Sequence, residues 1–474
     1  MVRGEDFKAG FARVDITPPM GTPVVGYFET RIAHGVLDNL EANALAIHDG
    51  NRTAVLIAAD LLGIEGVAFN AELRRRIATA TGVESDAVYI HSTHTHTGPG
   101  SGKSDAGRTD LFDGTDFYNE FLTTRLVDVA KFAIADLAPA SLAVGKAEAK
   151  RISFLRRYRM KDGSIRTNPG INNPDIAEPI GNLDETVRVL RIRRNLPSPE
   201  HDKAADIAVL NFATHPDVVG GEEISVDWPA FARRTFERAE PDVRCIFFNG
   251  AQGDVNHVCT DPRPGEREGL HPDFDDVDRG YEHARHMGRV VAAAALSVWG
   301  KCVPVEAGSI RFGIEMIRVL SQMPAADDLP QARKIAELHR EGRDAELPFT
   351  GMQLTTAVAE AERMLLLEKG PDAFELPLSV VAIGEDVAFA GIPGEPFSDI
   401  GHAIRAQSPF GMTICTCLTN GSCGYFPVAS AYDEGGYEAR SSVFASTVAN
   451  DIVTGTSKAI KKLQNTSHGE HLTV

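Results

Sequence analysis

Two imidazoles separated by one threonine, in His94-Thr95-His96-Thr97-Gly98-Pro99-Gly100, stand just after the apolar run Val88, Tyr89, Ile90. Side chains alternate between the two faces of a strand, so His94 and His96 should point the same way where the strand gives out. Neutral imidazole is the commonest metal ligand and also exchanges protons near neutral pH. The pair therefore reads as a metal ligand beside a proton-transfer group or second ligand. Turn histidines held by backbone carbonyls are the plain alternative.

The elements that must position such a site are strands ending in polar motifs. Residues 186–194 and 207–213 read as strands, the second delivering His215 at its end. Residues 245–248 lead into Asn249-Gly250 and the turn Gly253-Asp254-Val255-Asn256. Strands over 376–383 and 387–392 place Glu395 just beyond the second. Upstream, 44–47 and 53–59 flank the turn signal Asp49-Gly50 as a hairpin, and Asp60 follows the second strand. Helical spacing predicts helices over 66–81, stopped by Gly82, from Asp116 to the break at Ala138-Pro139, and over 283–299. The Ala-, Glu- and Lys-rich stretch 324–370, broken by Pro348, reads as an inserted helical hairpin, a kind of segment that often makes homo-oligomer contacts. Arg-, Asn- and Gly-rich composition over 151–179 reads as a long surface loop, and 260–280 as a rim loop. A final helix is expected over 442–462, with Phe444, Val448, Ile452 and Ile460 on one face, before a disordered tail over 463–474. The expected architecture is α/β: mixed sheets flanked by helices, in one domain over 8–462, with ligands at strand ends.

Composition narrows the function. With 474 residues, 43% hydrophobic and 24% charged, the chain is long enough to bury a large core. A formal charge of -18 argues against a nucleic-acid partner, since phosphate backbones demand basic surface. No apolar run of about 18 residues occurs, so no integral membrane association is expected, and the start of the chain lacks the apolar stretch of a signal peptide. A cytoplasmic location with reduced thiols follows as the expectation. Cys415, Cys417 and Cys423 cluster, but their spacing matches no standard zinc pattern, and buried structural thiols are the simpler reading.

His94-Thr95-His96-Thr97-Gly98-Pro99 resembles the zinc-site motif of the neutral, non-lysosomal ceramidases, which hydrolyse the amide bond of N-acyl sphingoid lipids. Five further signatures occur in that family's order. Gly10, Arg13, Asp15, Ile16, Thr17 and Pro18 with Gly26-Tyr27 resemble its opening segment, and Asn211 with Thr214-His215-Pro216 its second histidine ligand. Gly253-Asp254-Val255 resembles the nucleophile loop, Pro393-Gly394-Glu395-Pro396 the glutamate ligand, and Gly424-Tyr425 with Tyr437-Glu438 the tyrosine region. The resemblance spans about residues 8–460, and a single catalytic-type domain, without the immunoglobulin-like domain that usually follows in that family, is the expectation.

The resemblance implies a Zn2+ site formed by His94, His215, Glu395 and Tyr425, the last a phenol that a cation could ionise. His96 is then the base or a further ligand, Asp60 and Asp254 candidate orienting groups, and Tyr437 a substrate-facing hydroxyl. Asp227, before Trp228-Pro229, reads as a helix N-cap. Arg156, Arg157 and Arg159 could bind an anionic substrate group, or form a surface charge run. One departure matters: family members carry a serine after Gly-Asp-Val, and this chain has Asn256, which cannot accept an acyl group. Metal-activated water attacking an amide or related acyl carbonyl of a small or N-acyl substrate is then the simplest mechanism, with Asn256 as an oxyanion donor or a turn residue. The rival expectations are a hydrolase or lyase acting on a carbohydrate-derived substrate, and a binding protein without turnover.

Overall fold

Strands apolar on both faces need cover on both faces, and this requirement sets the layering of the molecule. The computed structural model describes residues 6–29, 31–104, 113–194, 205–275 and 277–465. Eight strands build the main sheet: β1 (Lys8–Asp15), β2 (Glu41–His48), β3 (Thr53–Ala59), β4 (Val88–Ser92), β5 (Ala138–Glu148), β6 (Thr186–Arg194), β7 (Asp206–Phe212) and β8 (Val243–Asn249). Their order is β8-β7-β6-β5-β1-β2-β3-β4, and Val303–Val305 adds a short ninth strand beside β5. Four strands form a second sheet in sequence order: β9 (Ile310–Leu320), β10 (Ala373–Ile383), β11 (Val387–Gly391) and β12 (Met412–Thr416).

The two sheets pack face to face. Along β3, Ala54, Leu56 and Ala58 join the core between the sheets, while Val55, Ile57 and Ala59 face the helices. On that outer face lie α1 (Val67–Thr81) and α2 (Asp116–Ala135), with α3 (Trp228–Ala239) and α4 (Tyr281–Trp299) covering the β6–β8 end. After the inserted hairpin of α5 (Leu329–Arg340) and α6 (Gly351–Leu367) come α7 (Ser398–Gln407) and α8 (Val448–Asn465), which cover the outer face of the second sheet. Tyr89, Phe248 and Phe389 meet at the centre with ring centroids 5.6–6.4 Å apart, joining β4, β8 and β11.

β4 and β8 are opposite edges of the main sheet, yet the sheet curls until they touch. His91 closes the gap. Its Nε2 accepts the Asn249 backbone N–H at 2.9 Å and its Nδ1 donates to the Cys417 carbonyl at 2.8 Å. Burial pushes this imidazole down to about 3, helped by His94 and opposed by the Cys417 hydrogen bond, so it is a neutral clasp between three chain segments. The curl brings together the ends of the three parallel pairs, β3/β4, β7/β8 and β11/β12.

The hairpin of β2 and β3 and the helix ending before Gly82 stand where the sequence pattern placed them, and the stretch 324–370 holds the two helices α5 and α6. Two expectations need correction. Residues 151–179 are no loop: Arg157–Met160 pairs with Ile165–Thr167 and Ile176–Pro179 as a three-stranded sheet, and Phe154–Leu155 pairs with Val255–Asn256. Strands of two to four residues carry too little apolar periodicity to show through arginine and glycine. The last helix begins at Val448 instead of 442, because Phe444 bridges to Ser321 in extended conformation and packs under the second sheet. It continues to Asn465, beyond the expected end, and the rest of the expected tail lies outside the described residues. Among the described residues, no helix is long and apolar enough to cross a membrane, and the cysteines form no disulfide.

Candidate metal centre

Five donor groups converge where the parallel strands end. Glu395 Oε2 lies 3.1 Å from His94 Nε2 and 3.1 Å from His215 Nε2. His96 Nε2 is 3.4 Å from His94 Nε2, and the Tyr425 hydroxyl is 3.4 Å from His215 Nε2. The three imidazoles form a buried group that could hold a metal ion. Donors bound at about 2.0–2.2 Å to one ion necessarily sit near such spacings.

Backbone geometry aims these atoms. β4 stops at Ser92, and His94 turns the chain at φ 79°, a left-handed conformation costing a non-glycine residue about 1–3 kcal/mol. The expected alternation along a continued strand is therefore corrected: His94 and His96 converge through a turn that the Leu61 carbonyl fixes by accepting the His94 N–H at 2.8 Å. Glu395–Pro396 pairs in parallel with Tyr425–Phe426, with Glu395 directly opposite Tyr425, so carboxylate and phenol lie side by side. A Cβ on Gly253 would lie 2.4 Å from the Glu395 carbonyl oxygen, and one on Gly26 would strike the His96 ring, so both approaches require glycine.

Hydrogen bonding fixes the tautomers. His94 Nδ1 lies 2.7 Å from the Leu62 carbonyl and His215 Nδ1 2.9 Å from that of Gln252. A carbonyl only accepts, so both Nδ1 atoms carry the proton and each Nε2 faces the cluster. Burial, with Arg156 and His94, pushes His215 down to about 4 against the pull of Glu395, so its ring is neutral at pH 7. Burial alone would raise the Glu395 carboxyl, but His94 and His215 outweigh it and hold the group well below the usual carboxylate range. An imidazole lone pair and a carboxylate oxygen aimed at one point are donors of the kind that a cation draws together. Tyr425 agrees: burial and Glu395 raise its phenol well above the usual value despite Arg156, so ionisation would need added positive charge.

His96 differs from its neighbours. Its Nδ1 is buried without a hydrogen-bond partner, 3.8 Å from Asp217 Oδ1. Asp217 is anchored by the Tyr27 hydroxyl at 2.6 Å and by Arg279 at 2.9 and 3.0 Å. Burial would raise this carboxyl, but Arg279, His96 and Tyr27 hold it far below the usual range. Asp217, Arg279 and Gln252 escaped the sequence reading, although Asp217 stands two residues after His215 and Gln252 adjoins the Gly253-Asp254 turn.

Two cavities meet at the cluster, of about 150 and 350 Å³, and share Gly26, Phe28, His96, Tyr425 and Tyr437. Arg156 and Asn256 line the smaller one. Tyr437 stands 5.5 Å from Tyr425, ring to ring. Arg156 is buried, forms an ion pair with Glu438 at 2.6 Å and lies 5.3 Å over the Tyr425 ring. The expected arginine trio is corrected, because Arg157 and Arg159 both pair with Glu434 and only Arg156 reaches the cavity. Asp254 accepts the N–H and O–H of Ser398 at 2.7 and 2.9 Å and contacts none of the three imidazoles. Asp60 takes both Arg233 terminal nitrogens, at 2.9 and 2.7 Å, so it orients Arg233 instead of a histidine. Asp227 caps α3, accepting the N–H of Trp228. Asn256 Oδ1 accepts the Val258 N–H at 3.0 Å, closing a turn, while its amide donates to Asn168 at 3.1 Å.

The sequence matches no known family profile and no curated protein. Solved structures do match. The neutral ceramidase from Pseudomonas aeruginosa superposes with a TM-score of 0.72 at 18% identity, over 99% of this chain and 76% of that one. A ceramidase complexed with C2 superposes with a TM-score of 0.71 at 18% identity, over 99% and 77%. The likeness bears out the resemblance carried by the ordered motifs, and the chain has the neutral ceramidase-like fold.

Proposed function

We propose that this protein is a zinc-dependent hydrolase that cleaves an amide or related acyl bond with water as the nucleophile. The observation that carries the reading is the convergence of His94, His215, Glu395, Tyr425 and His96 on one buried point in the wall of two cavities. His94, His215 and Glu395 would hold the ion, with Tyr425 completing the set; nitrogen and oxygen donors suit zinc. A bound zinc ion supplies Lewis acidity toward a carbonyl oxygen and lowers the pKa of water.

The chain's own groups do the rest. His96, neutral and facing the cluster, accepts the proton released by the attacking water and returns it to the leaving nitrogen, and the Asp217 carboxylate, 3.8 Å from its Nδ1, stabilises the charged ring between the two steps. The C–N bond breaks, the acyl carbon gains the hydroxyl and the amine gains the proton. Tyr437 and Arg156 border the carbonyl's approach, and no covalent acyl intermediate forms because Asn256 offers no nucleophilic oxygen. Amide hydrolysis is also the reaction that the ceramidase name assigns to the two structural neighbours. The test is hydrolysis of an N-acyl amide panel with products identified by mass spectrometry. Loss of activity in His96→Ala, with Asn256→Ala retaining at least about a tenth, is expected; an Asn256 essential for turnover, at the cost of about 10²–10³ typical of an oxyanion donor, would contradict the mechanism.

A further inference from the structure

The smaller cavity does not end at the protein surface as a closed pocket. Asn168, Met352 and Tyr437 line both it and an open groove of about 1040 Å³. One wall of the groove is Ile165–Thr167 with the turn after it, and the other is α5 and α6. This volume lies just above the range for small-molecule sites, about 300–1,000 Å³, so the groove suits a chain better than a single compact group.

The lining sets the chemistry of that chain. Asp162, Arg166, Asp328, Gln331, Gln353 and Glu360 all border it. Ile335, Phe349, Met352 and Met364 also line the groove, but a hydrocarbon tail laid along it would strip the polar and charged groups between them of water and return no hydrogen bonds. Charges of both signs, interspersed, also fit no polyanion. A peptide adding itself as a strand would need a row of main-chain partners, but one wall is helical with its backbone bonds internal, and the other offers an edge strand of three residues. A polyhydroxylated chain meets what is left: side-chain donors and acceptors for its hydroxyls, with Tyr437 and Phe349 for the apolar faces of its rings.

We infer that the substrate is an acylamino sugar at the end of a short oligosaccharide, its amide at the metal centre and its chain running out along this groove. The inference rests on the amide-hydrolase reading and names its substrate class. The chain enters past Tyr437, which lines the groove and both cavities.

The experiment uses β-1,4-linked N-acetylglucosamine oligomers of one to five units with the zinc-loaded protein, measuring affinity by calorimetry and acyl release by product analysis. Arg166→Ala/Gln353→Ala is the paired variant; both positions are outside the two cavities. Affinity should rise about tenfold or more from monomer to tetramer, equivalent to about 1.4 kcal/mol. That gain should vanish in the variant while monomer affinity holds. Length-independent affinity, a gain the variant leaves intact, or tighter binding of a peptide or fatty-acyl amide would overturn the inference. Acyl release without length dependence would keep the hydrolase reading and sink the groove; length-dependent binding without acyl release would do the reverse.

Discussion

At the residue scale, the site depends on groups held in protonation states that water would not favour. Asp254 gives a clean case away from the imidazoles. Burial pushes its carboxyl up to about 6, opposed by hydrogen bonds from Ser398. An unfolded Asp titrates near 3.9, so folding takes up a proton between about pH 4 and pH 6. The contribution to stability is present below about pH 4 and is lost as pH rises through 6, amounting to about 2–3 kcal/mol. Asp254→Asn can still accept the Ser398 N–H through Oδ1 and can donate to Ser398 Oγ through Nδ2, and it does not titrate, so its unfolding free energy should lack this slope; denaturation of both proteins from pH 4 to 7 checks it, and parallel curves would refute it. His94, His96, His215 and Glu395 stood out in the sequence because each follows a strand in a short polar motif, whereas Tyr425 was marked only by the family resemblance. It hid Asp217 and Arg279, whose importance comes from a contact across 62 residues, and it misread Arg157 and Arg159, because their partner Glu434 lies far along the chain.

At the element scale, the strand ends are pinned by polar clasps as well as by packing. Arg233, on α3, reaches Asp60 after β3 and Glu41 on β2, with both Arg233 and Asp60 buried. Removing one partner of such a pair leaves an uncompensated charge, so Arg233→Ala should cost about 3–5 kcal/mol, read as a shift in the denaturation midpoint. A change within 1 kcal/mol would mean that Asp60 is satisfied elsewhere. Long strands and amphipathic helices were legible because their periodicity extends over many residues, and the inserted hairpin showed through composition. The three-stranded sheet over 157–179 and the start of α8 were not, since cross-strand pairing and the burial of Phe444 decide them.

At the scale of the whole molecule, the curl of the main sheet makes the centre possible, because the loops after β4 and β7 must meet the segment after β11. Metal binding should therefore couple to global stability. An ion at a thousand times its Kd stabilises the native state by about 4 kcal/mol, so a chelator should lower the Tm of native protein and leave that of His94→Ala unchanged. α/β architecture and the donor residues at strand ends could be read from the sequence; the closure through His91 could not, because it joins the two edges of one sheet. The most direct test of the account is elemental analysis of purified native protein beside His94→Ala and Glu395→Ala. About one zinc per chain, lost in both variants, is the predicted result; a native protein without stoichiometric metal after zinc loading, or variants that retain it, would contradict the metal centre.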